Sequence, residues 1–169
     1  RALASGTLTL TIVFAVMFGI FLVLFPYFQA VVGWSALRSA AGMLPMALIM
    51  MPTSTIAPRV AAKFGTRNTM LTGVVIFSLG LVTMAMNASV EGGYMSVLPG
   101  LLLIGLGMGL TMFSTTASIT ETLPEDKQGV ASALNDTSRE LGGAVGMALL
   151  GSVLSSAFRS NMLDALKGF

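Results

Sequence analysis

Asp136, Arg139 and Glu140 stand within five positions of one another, and Gly142 and Gly143 follow at once in the stretch NDTSRELGGAVG, 135–146. Two carboxylates beside a guanidinium can exchange ion-pair partners, face a wet pathway or anchor a helix end at a polar boundary. On a helix, Asp136 and Arg139 are three apart and can pair; Glu140 is adjacent to Arg139 and four beyond Asp136. Ser132, Asn135, Arg139, Gly142 and Gly146 fall on one helical face. The chain has no Cys and no His, which removes disulfides, thiolate chemistry, His-ligated metals and His-based triads. No catalytic residue, metal site or cofactor is indicated, and the chain is not expected to be an enzyme.

The elements that carry this cluster are apolar. Hydrophobic residues make up 54% of the chain and charged residues 9%, with a mean hydropathy of +0.87. A soluble domain carries about a quarter charged residues to solvate its surface, so lipid must be the solvent here. The net charge of +2 comes from scattered basic residues with no aromatic interleaving, which excludes nucleic acid as a partner. Uncharged runs span 2–37, 39–58, 68–90, 92–120 and 141–158, close to or beyond the roughly 20 residues needed to cross the hydrocarbon core. The pattern predicts an all-α integral membrane protein, a polytopic helix bundle with five transmembrane helices near 7–30, 39–60, 69–88, 95–120 and 128–158. VVGWSALRSAAG connects the first two. Backbone groups must be satisfied inside lipid, and the short alternating segments of a barrel are absent.

Orientation follows from Lys and Arg. The loop with Arg59, Lys63 and Arg67 holds no acid and is placed in the cytoplasm. The loop with Glu91 then faces outward, TLPEDKQG returns to the cytoplasm, and the tail with Arg159 and Lys167 falls outside. The chain starts at Arg1 rather than Met and is read as part of a longer protein, lacking a final helix after the fifth. Counting back about 20 residues from Phe158 ends near Arg139, so the charged cluster sits at the inner edge of the hydrocarbon core. Two readings stay open: a snorkelling arginine with interfacial acids, or a gating ion pair facing a water-filled pathway.

Other features have two readings each. Gly142, Gly143, Gly146 and Gly151, with Ala144 and Ala148, form small-residue spacings that allow close helix packing. Thr111, Ser114, Thr115, Ser118 and Thr122 make a hydroxyl stripe that bonds its own backbone four residues back or lines a cavity, with Ser118 as a pathway candidate. Phe14, Phe18, Phe21, Phe25 and Phe28 form a packing or lipid-facing stripe, and Gln29 beside Pro26 and Tyr27 is a polar interruption near the outer end. Pro45, Pro52 and Pro58 predict a kinked second helix. Met43, Met46, Met50 and Met51 suit an adaptable apolar surface or plain core filling.

PYFQAVVGWSALRSAAGMLPMAL, PRVAAKFGTRNTMLTGV and GVASALNDTSRELGGAVGMALLGSVL together resemble the C-terminal half of major facilitator superfamily exporters, most closely the fourteen-helix drug:proton antiporter branch. The resemblance covers nearly the whole chain. It implies that these five helices match the first five of a six-helix half. Lys63, Gly65 and Arg67 match a second copy of the family's cytoplasmic loop signature. Ala62 stands in place of its acid and Pro58 in place of its leading glycine, which implies a helix connection rather than a charge relay. Asn135, Arg139, Gly142, Gly143 and Gly146 match the last motif, with Glu140 where Gln is more usual.

The resemblance implies secondary active, proton-driven export of amphipathic drugs or small molecules by alternating access, in the inner or plasma membrane. Its partners would be such a substrate, protons, the bilayer and the absent N-terminal half. In this reading Arg139 switches ion-pair partners, Asp136 first among them. The alternatives are a channel subunit, a non-transporting scaffold, or a metabolite transporter of the same fold working in the other direction.

Overall fold

A computed structural model describes residues 2–89 and 92–166; Glu91 and Lys167 lie outside the described residues. The chain forms α1 (Ala2–Pro26), a π-helical turn (Tyr27–Val31), α2 (Ala36–Ala41), α3 (Leu44–Phe64), α4 (Thr66–Asn87), α5 (Gly93–Thr120), a 3-10 turn (Glu125–Lys127) and α6 (Gln128–Leu166). Among the described residues there is no strand. Five spans are long and apolar enough to cross a membrane: Leu3–Val31, Ala36–Phe64, Thr66–Asn87, Gly93–Thr120 and Gln128–Ser160. The protein is a multi-pass membrane bundle.

One local expectation needs correction. The connection VVGWSALRSAAG is partly helical, because the Ser35 hydroxyl accepts the Arg38 N–H at 3.3 Å and caps α2. Helix α3 is continuous through Pro52 and Pro58. The Thr53 hydroxyl donates to Ile49 O at 2.7 Å and the Thr55 hydroxyl to Pro52 O at 2.8 Å, whereas the carbonyls that lose an N–H partner to the prolines are those four residues back, Leu48 O and Ser54 O. Gly65 ends α3 with φ +86°, and its N–H bonds Ala61 O at 2.8 Å. That left-handed backbone costs glycine nothing and reverses the chain into α4.

Helix α5 is the centre of the bundle. Of the apolar window in its span 56% is buried, against 17% for α6. Val97, Leu101, Ile104 and Met108 recur at helical spacing on one buried face and meet Met46 of α3, Phe77 of α4 and Val13 of α1. Its glycines let the neighbours come very near: a Cβ on Gly107 would overlap the Phe77 backbone of α4, and one on Gly105 would lie 2.5 Å from Met46 O of α3. Helix α6 packs chiefly on α1 and only lightly on α5.

The end opposite Arg59, Lys63 and Arg67 is tied by aromatics. Phe28 is fully buried, with Trp34 at 5.4 Å and Tyr94 at 5.8 Å between ring centroids, and the Arg38 guanidinium sits 4.8 Å above Trp34. The Tyr94 hydroxyl donates to Gly42 O at 2.8 Å, and the Tyr27 hydroxyl to Ser89 O at 3.0 Å. Both half-buried tyrosines thus keep their hydroxyls bonded.

Candidate functional site

Parallel packing of α1 and α6 builds the seam that holds Arg139. A Cβ on Gly142 would overlap Thr11 O, and one on Gly146 would overlap the Ala15 backbone. Gly143 lies 3.2 Å from the Phe18 ring and Gly151 3.3 Å from Leu22 by the same construction. Helices brought this near leave little room for a long side chain one turn below. Arg139 lies there half-buried, with its guanidinium carbon 5.4 Å from the centroid of the Phe14 ring.

Two polar atoms in this seam are shielded from solvent and unbonded: Nε of Arg139 and Oδ1 of Asn135. One is a donor and the other an acceptor, and their residues are one turn apart on the same helical face. An unbonded buried polar atom costs about 1–3 kcal/mol, and such costs concentrate where a group has work to do in another state. Ser138 beside them is satisfied, its hydroxyl donating to Leu134 O at 2.5 Å.

The expected pairing of Asp136 with Arg139 is not made among the described residues. Arg139 turns inward over Phe14, whereas Asp136 and Glu140 are exposed. Asp136 follows Asn135 by one residue, about 100° further round the helix, which carries its carboxylate off the α1-facing side. Ser132 is exposed as well, at the edge of the face it was assigned to.

A second polar space lies at the basic end, between the start of α1, the start of α4 and the end of α5. Its volume is about 950 Å³, and its lining includes Ser5, Thr9, Arg67, Ser118, Glu121 and Thr122. Arg67 and Ser118 therefore share one cavity, while Arg139 and Asn135 are not among its lining residues. The hydroxyls of Thr111, Ser114, Thr115, Ser118 and Thr122 each donate to the carbonyl four residues back, at 2.6–2.9 Å. Their oxygens still have lone pairs to offer. Arg59, Lys63, Gly65 and Arg67 all lie exposed around the α3–α4 reversal. Gln29 is exposed in the π-helical turn at the far end, away from the other candidates.

Sequence reasoning missed Ser5 and Thr9, which share this cavity with Ser118. The signal for the first two was their own helical spacing in ASGTLTLT, four residues apart on one face. The aromatic knot had a signal too: Trp34 is the single tryptophan and Tyr27 and Tyr94 are the two tyrosines.

A family model described as Major Facilitator Superfamily matches residues 1–147. The multidrug resistance protein B homolog of Mycobacterium tuberculosis is 30% identical over 166 residues, covering 98% of this chain and 31% of that protein. The multidrug transporter protein MdtP of Bacillus subtilis is 31% identical over 147 residues, covering 83% of this chain and 26% of that protein. The multidrug efflux pump LfrA of Mycolicibacterium smegmatis is 29% identical over 139 residues, covering 80% of this chain and 27% of that protein. The chain thus spans less than a third of the length of these relatives. No solved structure matches it.

Proposed function

The chain belongs to the major facilitator superfamily, and on that premise we propose that it supplies five helices of one half of a secondary transporter that exports amphipathic small molecules, driven by the proton gradient. The names of its relatives support multidrug export as the class. Its charged residues carry no bond-making constellation, so the work proposed for them is gating. The basic end is cytoplasmic in this proposal, because Arg59, Lys63 and Arg67 gather there without an acid between them.

The observation that carries the proposal is the unpartnered Nε of Arg139 in the α1–α6 seam. A guanidinium N–H left unbonded in a buried helix seam carries a cost that a second state can relieve. The exposed acids Asp136 and Glu140 and the exposed Leu141, Val145 and Leu149 form the side of α6 that meets the other half of the transporter. As the halves rock, Arg139 leaves Phe14 for a polar partner, and Asn135 supplies an acceptor one turn away. Protonation of an acceptor in the other half provides the coupling.

The test is energised efflux of a lipophilic cationic dye from cells carrying the complete transporter or its Arg139→Ala variant at matched membrane abundance, with and without a protonophore. Loss of efflux in the variant, and in the parent when the gradient collapses, is the expected result. A variant that pumps like its parent reduces Arg139 to an anchor at the membrane boundary. A parent that keeps pumping with the gradient collapsed removes the proton coupling.

A further inference from the structure

We propose that the groove between α3 and α4 at the basic end is a binding site for one anionic phospholipid, a site separate from the substrate pathway and independent of the transport reading. The two helices separate from a common reversal at Gly65 and are both held by α5, leaving a cavity of about 300 Å³ lined by Val60, Phe64, Asn68, Thr69, Thr72 and Leu110.

The cavity is graded along its length as a lipid is. At its mouth Asn68 donates to Phe64 O at 3.0 Å and keeps its second N–H and its carbonyl oxygen for a ligand. Thr72 is one turn deeper, about 6 Å at about 1.5 Å per residue. Apart from Thr69, whose hydroxyl is spent on Gly65 O at 3.0 Å, the other lining residues are apolar: Phe64 at the rim, and Val60 of α3 and Leu110 of α5. A free phosphate would leave those walls uncovered, whereas an acyl chain fills them. Phe64 is 58% exposed at this rim, a large apolar face that a lipid would cover.

The charge at the mouth selects the headgroup. Lys63 holds its Nζ 5.4 Å from the centroid of the Phe64 ring, which places an ammonium over a residue that lines the cavity. Arg59 is one turn back on the same helix, at the spacing that puts two side chains on one face. No acid occurs from 58 to 67, and none lines the cavity. Basic pockets between membrane helices at the cytoplasmic surface recruit anionic headgroups, each nearby Lys or Arg contributing about fivefold in affinity. Arg67 lies in the same loop but lines the other cavity, with Glu121, so it offers an internal control.

The experiment is native mass spectrometry of the purified complete transporter titrated with phosphatidylglycerol or phosphatidylcholine. The expected result is retention of one phosphatidylglycerol in preference to phosphatidylcholine. Lys63→Gln and Arg59→Gln should each lower that occupancy about fivefold, while Arg67→Gln leaves it unchanged. Thr72→Phe, which fills the groove and keeps every charge, should also remove the lipid. Equal retention of the two lipids overturns the site and leaves the groove as a surface for another helix. An equal fall with Arg67→Gln reduces it to diffuse surface charge, and displacement by glycerol phosphate as readily as by phosphatidylglycerol shows that the groove takes no acyl chain. Should Thr72→Phe fail to fold, the three charge variants decide alone.

Discussion

Helices α5 and α6 are both long, both rich in glycine, and used in opposite ways. The glycines of α5 face two partners, with Gly107 against Phe77 of α4 and Gly105 against Met46 of α3, and its hydroxyls are spent on its own backbone. Gly142, Gly143, Gly146 and Gly151 of α6 face one partner, α1, and directly below that contact lie two buried polar atoms with nothing to bond. The comparison separates a satisfied framework from a seam that is unsatisfied in the state described. In the proposed transporter, packing stays cooperative in the first and the unmet needs lie in the second.

The largest expected effect breaks the framework. Gly107→Leu places a side chain where the Phe77 backbone already is, and backbone cannot step aside as a rotamer can. Overpacking of this kind costs about 1–3 kcal/mol where side chains yield, and more where they do not. We expect loss of monodisperse protein on size-exclusion chromatography. Recovery at parental yield would mean that α4 and α5 slide freely, and the contrast with α6 would go.

Next in size is Arg139→Ala, which acts on the seam. Dye efflux should fall at least tenfold, yet the melting temperature should hold or rise, because the substitution deletes an unpartnered buried donor. A matched fall in both would make Arg139 part of the framework, paired in a way the present geometry does not contain.

This division explains what could be read before any coordinates. Helix α5 was legible because its needs are local: apolar residues at helical spacing find the core, and each hydroxyl finds the carbonyl one turn back. The five spans were legible for the same reason, since length and hydropathy decide them. The pairing of Asp136 with Arg139 looked sound by spacing, but spacing cannot say which way a long side chain turns. Phe14, more than a hundred residues away in sequence, settles that for Arg139. The groove between α3 and α4 and the cavity that joins Ser5 and Thr9 to Ser118 depend on how far helices separate, and a linear pattern carries no such distance.

A smaller effect probes the aromatic knot, which ties the framework to the top of α1. Tyr94→Phe keeps the ring stacked on Phe28 and Trp34 but removes the donor to Gly42 O. One hydrogen bond of this kind is worth about 1 kcal/mol. A thermal melt should show a drop of a few degrees with efflux retained. A loss of efflux out of proportion to the melt would move the knot from framework to gate.

The smallest expected effect is the sharpest on the seam. Asp136→Asn removes a carboxylate three residues from Arg139, and if the two were paired the cost would show as an uncompensated buried cation, about 3–5 kcal/mol. Here Asp136 is exposed and Arg139 stacks on Phe14 instead, so the change in stability should stay within about 0.5 kcal/mol. A chemical melt of the purified transporter in detergent measures that difference directly. A near-zero result says that Arg139 is held by an aromatic face and helix packing alone, a restraint weak enough for a moving pathway to release. A result of several kcal/mol says that the pair forms in the complete transporter, and that the other half turns Asp136 inward.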